Sequence, residues 1–208
     1  MTPAGDRALL VTVGRTIDPS LLGQVLSLDQ ALAERRPSGL LSTVPAYASL
    51  LCHYDPDVTD AGRLEASIRQ YDGQLDTSVT FGQIVDVPTR YDGPDLADVA
   101  LKTNLTPAGV VEAHAGWEYL VYCVGFAPGF TYCGELPDQL ALPRLASPRL
   151  RVSAGSIGIA GRQTGIYAVE SPGGWNLIGR TTLRLFDPAT DPPVRFKPGD
   201  RLRFVPTS

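Results

Sequence analysis

From Trp117 onward the chain loses its helical period, and glycine and proline punctuate it instead. Ten of the twenty-one glycines fall between Gly125 and Gly179, about twice an even share, so the enrichment is local. Glycine permits positive φ or close backbone approach, and proline fixes turns. Strand-like runs alternate with these turns at Glu118–Val124, Leu150–Val152, Gly165–Val169, Asn176–Arg180, Thr182–Phe186 and Arg201–Val205. Short strands between frequent turns predict a β-barrel or sandwich. Three segments stand out within it: Gly125-Phe-Ala-Pro-Gly-Phe-Thr-Tyr-Cys-Gly134, Arg162-Gln-Thr-Gly-Ile-Tyr167 and Ser171-Pro-Gly-Gly-Trp175. They set aromatic, amide and hydroxyl groups on constrained backbone, which suits a shaped surface for a small molecule or a partner protein.

The first part of the chain reads differently. Arg7–Val13 predicts a strand, and Asp18-Pro19 an N-cap with an N1 proline. Leu22, Val25, Leu26, Asp29 and Leu32 then follow at helical spacing as far as Arg35-Arg36-Pro37. Gly39–Val44 and Ser49–Tyr54 are β-rich runs joined by Pro45-Ala-Tyr47. Leu64, Ile68 and Tyr71 mark a second helix behind a Thr59/Asp60 cap. Val79–Val87 supplies a last strand, and the order β-α-β-β-α-β fits a ferredoxin-like sheet with two helices on one face. The change of period places the boundary between residues 1–78 and 79–208, with the allegiance of the last strand open. Pro94-Asp-Leu-Ala-Asp-Val and Thr106-Pro-Ala-Gly-Val-Val predict two short helices that pack on the strand-rich half.

Composition narrows the function. With 208 residues and 43% apolar content, the chain has enough apolar surface for an ordinary packed core. A formal charge of −4 and no run of Lys or Arg leave no electrostatic footprint for nucleic acid or an anionic membrane. No apolar run reaches the roughly 18 residues of a spanning helix, and Asp6 and Arg7 before Leu9–Val13 do not form a signal peptide. A cytoplasmic protein is expected. Cys52, Cys123 and Cys133 lack CxxC spacing, so neither a disulfide nor a metal site is assigned.

Familiar catalytic templates fail: there is no GxxxxGK[ST], HExxH, GxGxxG or GxSxG. His53 falls in a strand and His114 near a helix C-terminus, and neither has a base or metal partner by spacing, so structural roles are favoured. Glycines at 155, 158, 161 and 165 surround Ser156, Arg162, Gln163 and Thr164. Such a loop suits an anion-binding nest of backbone N–H groups and equally suits tight barrel corners. Gln163, Thr164 and Tyr167 carry uncharged donors and acceptors that match an amide or carboxylate, or backbone in turns. Arg180 at a strand end is placed either for bidentate carboxylate recognition or as a solvated charge. Phe126, Phe130, Tyr132 and Trp175, beside Pro128-Gly129 and Pro172-Gly173-Gly174, form a pocket wall or a docking patch.

The order of motifs is more specific than any one of them. Gly125-Phe-x-Pro-Gly-Phe-x-Tyr132, Pro143-Arg, Pro148-Arg and Arg151-Val-x-Ala-Gly-Ser-Ile-Gly-Ile-Ala-Gly161 come first. Gln163-Thr-Gly-Ile-Tyr167, Ser171-Pro-Gly-Gly-Trp-Asn-Leu-Ile-Gly-Arg180, Leu185-Phe-Asp-Pro188 and Pro198-Gly-Asp200 come after them. With Gly5-Asp-Arg-Ala-Leu-Leu10, Val44-Pro-Ala-Tyr-x-Ser-Leu-Leu51 and His53-Tyr-Asp-Pro56, this series resembles the subunit 1 family of allophanate hydrolase-like proteins. That family includes the B subunit of bacterial ATP-dependent 5-oxoprolinase, the Kip-type inhibitor of a sporulation histidine kinase, and half of the urea carboxylase carboxyltransferase domain.

The resemblance implies an α+β chain with a ferredoxin-like N-terminal domain and a cyclophilin-like β-barrel. It also implies a site shared with a subunit 2-type partner (the C subunit of 5-oxoprolinase) and, for the 5-oxoprolinase assembly, a third subunit. The leading expectation is a subunit that opens 5-oxoproline to L-glutamate with ATP, while the place where ATP binds in the complex is unassigned. Gln163 and Arg180 are then the catalytic candidates, as donors to the developing charge worth about 3–4 kcal/mol each. Gly155, Ser156, Gly158, Gly161, Thr164, Tyr167, Ser171 and Trp175 would bind substrate, and Phe126, Pro128, Phe130 and Tyr132 would meet the partner. An allophanate hydrolase or urea-type subunit and a non-catalytic kinase inhibitor are the alternatives. Thr131, Cys133 and Glu135 depart from the family's usual Pro-Tyr-Leu-Gly-Gly.

Overall fold

The computed structural model describes residues 1–71, 73, 81–82 and 84–208. The chain divides into two compact units, Met1–Thr80 and Phe81–Ser208. In the first, strands β1 (Thr2–Pro3), β2 (Ala8–Thr12), β3 (Leu40–Ala46) and β4 (Ser49–Tyr54) form an antiparallel sheet in the order β1-β2-β4-β3. Helix α1 (Pro19–Glu34) starts where its sequence dictates, with the Asp18 carboxylate accepting from the Ser20 N–H at 2.7 Å and Pro19 in the first turn. Helix α2 (Ala61–Arg69) is capped by Asp60, which accepts from the Arg63 N–H at 2.9 Å. Leu22, Val25, Leu28 and Leu32 pack with Leu9, Leu50, Cys52, Leu64 and Ile68. Leu28 takes the core position, and Leu26 is half-buried.

The fourth place in this sheet goes to Thr2–Pro3, not to the expected run Val79–Val87. Residues 79, 80 and 83 of that run lie outside the described residues. Strand β5 (Ile84–Thr89) pairs in parallel with β13 (Arg201–Pro206), in the second unit. The apolar alternation of such a strand suits either sheet, and long-range pairing made the choice.

The second unit is built on a seven-stranded sheet in the order β12-β9-β10-β7-β6-β13-β5. Its other strands are β6 (Glu118–Val124), β7 (Thr131–Gly134), β9 (Ser156–Ala160), β10 (Gln163–Ile166) and β12 (Asn176–Arg180). The sheet curls until its first and last strands meet, with Arg90 and Arg180 exchanging two backbone hydrogen bonds of 2.8 Å. The interior is solid: Tyr119, Val121, Cys133, Ile157, Ile159, Ile166, Ile178, Leu202 and Phe204 fill it, and Val99, Ala100 and Val110 pack with them. Those last three come from α3 (Leu96–Thr103) and α4 (Pro107–Ala115), the expected helical pair. A short ribbon of β8 (Arg149–Val152) and β11 (Ser171–Gly173) is separate from the main sheet.

Two sequence expectations need correction here. Thr182–Phe186 is not a strand; the Leu183 N–H turns back to Thr181 Oγ1 at 3.1 Å and Phe186 makes only an isolated bridge to Val194. The run expected at Gly165–Val169 begins earlier, at Gln163, because its partners are Gly134 to Thr131 of β7.

Candidate functional site

With the interior of the curled sheet packed, the site lies on the sheet's outer face. Thr164 and Ile166 of β10 point inward, and Gly165 between them points out, as strand alternation requires. Gly165 sits opposite Gly158 of β9, and the missing side chains leave a flat floor. A Cβ at Gly165 would lie 3.0 Å from Trp175 Cζ3 and 3.2 Å from Phe130 Cε1, and one at Gly158 would lie 2.9 Å from Trp175 Cβ. The aromatic rings occupy that space.

Phe130, Tyr132, Tyr167 and Trp175 meet there. Phe130 packs edge-on against Tyr167 and Trp175 at centroid distances of 4.8 and 5.5 Å, with Tyr132 at 4.6 Å. Each such contact contributes roughly 0.5–1.5 kcal/mol beyond area burial. A cleft of about 240 Å³ opens over these rings, lined also by Phe126, Arg144, Pro148, Pro172, Gly173 and Gly174. Its walls are mostly aromatic and prolyl, and Arg144 is the cation among them.

The polar groups of the cleft are few and specific. The Tyr167 hydroxyl lies against Gly173, where no Cβ has room, and it is buried without a hydrogen-bond partner. Ser171 Oγ, next in the chain to the lining residue Pro172 and outside the lining itself, is likewise buried and unpartnered. Burial raises the Tyr167 pKa; the Trp175 backbone N–H, which approaches that oxygen without reaching hydrogen-bond geometry, then Arg144 and Arg149 oppose the rise. Burial also raises the Tyr132 pKa, Cys123 adds to the rise, and Arg144 opposes it. Both phenols are therefore neutral near pH 7 and able to donate.

The expected site residues do not all converge. Gln163 pairs with Ala160 at one end of β9 and Arg180 with Ser156 at the other, about 13 Å apart along the strand at roughly 3.3 Å per residue. The two cannot act on one small group. Arg180 lines a second cleft of about 410 Å³ with Arg149, Arg151, Ser153 and Ser156. There Arg180 pairs with Asp92 at 2.7 Å, Arg149 with Asp95 at 2.6 Å and Arg151 with Glu170 at 2.9 Å.

The backbone nest is spent on structure. The Gly155 N–H donates to the Tyr167 carbonyl at 2.6 Å, the Ser156 N–H to the Ser153 carbonyl at 3.2 Å, and the Gly161 N–H to the Leu142 carbonyl at 2.6 Å. Gly158 lies within the ladder and serves as the floor under Trp175. Thr164 is fully buried and bonded at 2.8 Å to Nε2 of His114, whose Nδ1 lies 2.7 Å from the Tyr91 hydroxyl. Complete burial lowers the His114 pKa to about 3, so it is a neutral core link. Phe130, 1% exposed, is wall rather than interface anchor, while Phe126 at 65% stands out at the rim with exposed Pro128. Glu135, the departure beside the first motif, pairs with Arg162 at 2.9 Å.

Sequence reasoning missed Arg144 as a site residue. Its signal was the Pro143-Arg144 pair, which carried the family resemblance but gave no local chemical reason to face a pocket. Among the described residues no group of three or more His, Cys, Asp or Glu is placed to hold a metal ion. No helix of the described residues is long and apolar enough to cross a membrane.

Residues 1–196 match the family described as carboxyltransferase domain, subdomain C and D. The chain is similar to the B subunit of 5-oxoprolinase from Escherichia coli O157:H7, 54% identical over 127 residues that make up 60% of this chain and 58% of that one. It is 36% identical over 216 residues to the B subunit of 5-oxoprolinase from Bacillus subtilis (strain 168), covering 97% of this chain and 90% of that one. Among solved structures it is similar to TTHA0988, with a TM-score of 0.88 at 38% identity over 98% of this chain and 40% of that chain. It thus spans 58% of the E. coli relative and 40% of the solved chain.

Proposed function

The chain belongs to the carboxyltransferase-domain family of subdomains C and D, and from that premise we propose that it is a subunit of a 5-oxoprolinase. In this role it holds the lactam 5-oxoproline while a larger assembly opens the ring to L-glutamate with ATP. The observation that carries the reading is the aromatic cleft over Phe130, Tyr167 and Trp175. A cleft of about 240 Å³ suits a small ring amide. Flat rings set edge to face offer a planar lactam apolar contact on several sides.

ATP fits this chain poorly. The aromatic cleft offers one cation, Arg144, for three phosphates, and the arginines of the second cleft are already paired with carboxylates. In this reading the nucleotide binds elsewhere in the complex, and no phosphoryl-transfer step is assigned to these residues. A lactam carbonyl is a poor electrophile, and phosphorylation of its oxygen is what ATP would supply. The chain itself fixes the position of the ring, which is the entropic part of the catalytic task.

A subunit 2-type partner, with a third subunit, completes the site. Two observations support this: the solved relative at 40% coverage carries much additional chain, and Phe126 stands exposed beside the cleft. We read residues 1–78 as a ferredoxin-like domain and 79–208 as a cyclophilin-like barrel. The antiparallel sheet with two helices and the curled sheet support that reading.

The test is to co-express the chain with its partner subunits and measure glutamate formed from 5-oxoproline with and without ATP. ATP-dependent turnover is expected, with KM raised in Trp175→Ala. An intact complex that is inert on 5-oxoproline but turns over allophanate would overturn the reading.

A further inference from the structure

The arginines of the second cleft, and Arg162 beside Glu135, are engaged in ion pairs. Arg149, Arg151, Arg162 and Arg180 each pair with a carboxylate at 2.6 to 2.9 Å. Arg144 lines the cleft and, among the described residues, has no carboxylate within ion-pair distance. Its charge reaches into the pocket, since it acts on both Tyr132 and Tyr167. A solvent-exposed guanidinium with no carboxylate partner, set beside aromatic walls, favours an anion, and its planar fork matches a carboxylate at two points.

A second, independent observation comes from Tyr167. Its side chain is 1% exposed, it lines the same cleft, and its hydroxyl, approached by the Trp175 backbone N–H, meets no acceptor for its own proton. Buried hydroxyls are almost always bonded, and an orphan at the wall of a pocket is the place for a ligand acceptor. Phe130 and Trp175 line the same cleft as its apolar floor.

Resting on the reading of the chain as a lactam-binding subunit, we propose that Arg144 selects the ligand's carboxylate while the Tyr167 hydroxyl donates to its amide carbonyl oxygen. The cleft then takes small ring amides that carry a carboxylate and discriminates against neutral lactams of the same shape. Arg144 is thus the specificity-determining residue, and Tyr167 fixes the orientation of the carbonyl.

The assembled complex tests this by steady-state kinetics. Arg144→Gln raises KM for 5-oxoproline roughly 10- to 100-fold, the worth of a hydrogen-bonded charge, with little change in kcat. Arg144→Lys recovers part of the loss, and weak inhibition by neutral 2-pyrrolidinone is the same in parent and variant. Tyr167→Phe weakens both ligands alike. A parental KM in Arg144→Gln, with the proposed activity intact, overturns the role of Arg144 and leaves the activity standing. If the parent complex does not act on 5-oxoproline, calorimetric titration of the full chain with 5-oxoproline and 2-pyrrolidinone decides. Tighter binding of the carboxylate that Arg144→Gln abolishes sustains the proposal, and equal binding or none overturns it.

Discussion

Gly158 and Gly165 face each other across the β9–β10 ladder, and a Cβ on either would press on Trp175, at 2.9 Å from its Cβ or 3.0 Å from its Cζ3. The glycine spacing thus makes a seat for an indole. Gly165→Ala is expected to destabilise the chain by about 1–3 kcal/mol through overpacking, and Gly158→Ala to act in the same direction. In Trp175→Ala the cost of Gly165→Ala should shrink only in part, because the indole is gone while the Thr131 carbonyl oxygen stays 2.8 Å from the new Cβ. Urea midpoints for the two single variants and the double variant measure the coupling.

Asp95 ties three parts of the second unit together. One carboxylate oxygen accepts from Arg149 at 2.6 Å and the other from the Leu177 N–H at 2.7 Å, at a residue 6% exposed. Asp95→Ala leaves a buried N–H and a partly buried guanidinium unpaired, at a cost of about 3 kcal/mol. Asp95→Asn, which keeps an acceptor, should cost less. Chemical denaturation monitored by circular dichroism checks both.

His114 makes stability depend on pH. Burial holds its folded pKa near 3, against 6.5 for the ordinary side chain, so the unfolded chain binds the extra proton between those values. Its contribution is fully present above pH 6.5 and is lost as pH falls toward 3, at up to about 1.4 kcal/mol per pH unit. Tyr91 and Tyr119, the titratable groups around it, stay protonated throughout this window because burial raises both. His114→Gln should show a shallower loss of stability between pH 6.5 and 4.5 than the parent, whatever its absolute stability. Unfolding midpoints across that range give the two slopes.

Phe126 combines a φ of +70° with 65% exposure, an uncommon conformation for a bulky side chain. Phe126→Gly relieves that strain and should leave the isolated chain at least as thermally stable as the parent. If the rim meets a partner subunit, the same variant loses assembly. Thermal melts and size-exclusion of the co-expressed complex read the two effects separately, and a destabilised isolated chain would contradict the strain argument.

Local signals in the sequence were legible because their causes are local. Asp18, Asp60 and Thr106 cap helices that begin at the next residue, since each carboxylate or hydroxyl answers an N–H two or three residues on. The order of the glycine, proline and aromatic motifs likewise pointed to Tyr167 and Trp175 as part of one surface. Gln163 and Arg180 were grouped by motif, yet strand register puts them at opposite ends of β9. Thr164 had the composition of a ligand-binding residue, and its neighbour in space is His114, fifty residues earlier in the chain.

By itself the sequence determined the helix starts, the change from helical to strand-rich organisation, the family and the aromatic character of the candidate site. Only the tertiary structure decided that β5 joins β13, that Thr164 turns inward and that Arg144 faces the cleft. The physical reason is that the curled sheet is apolar on both faces, with Ile157 and Ile166 inside and Phe130, Tyr167 and Trp175 outside. Alternation along such a strand does not tell the two faces apart, so long-range packing chooses which residues meet.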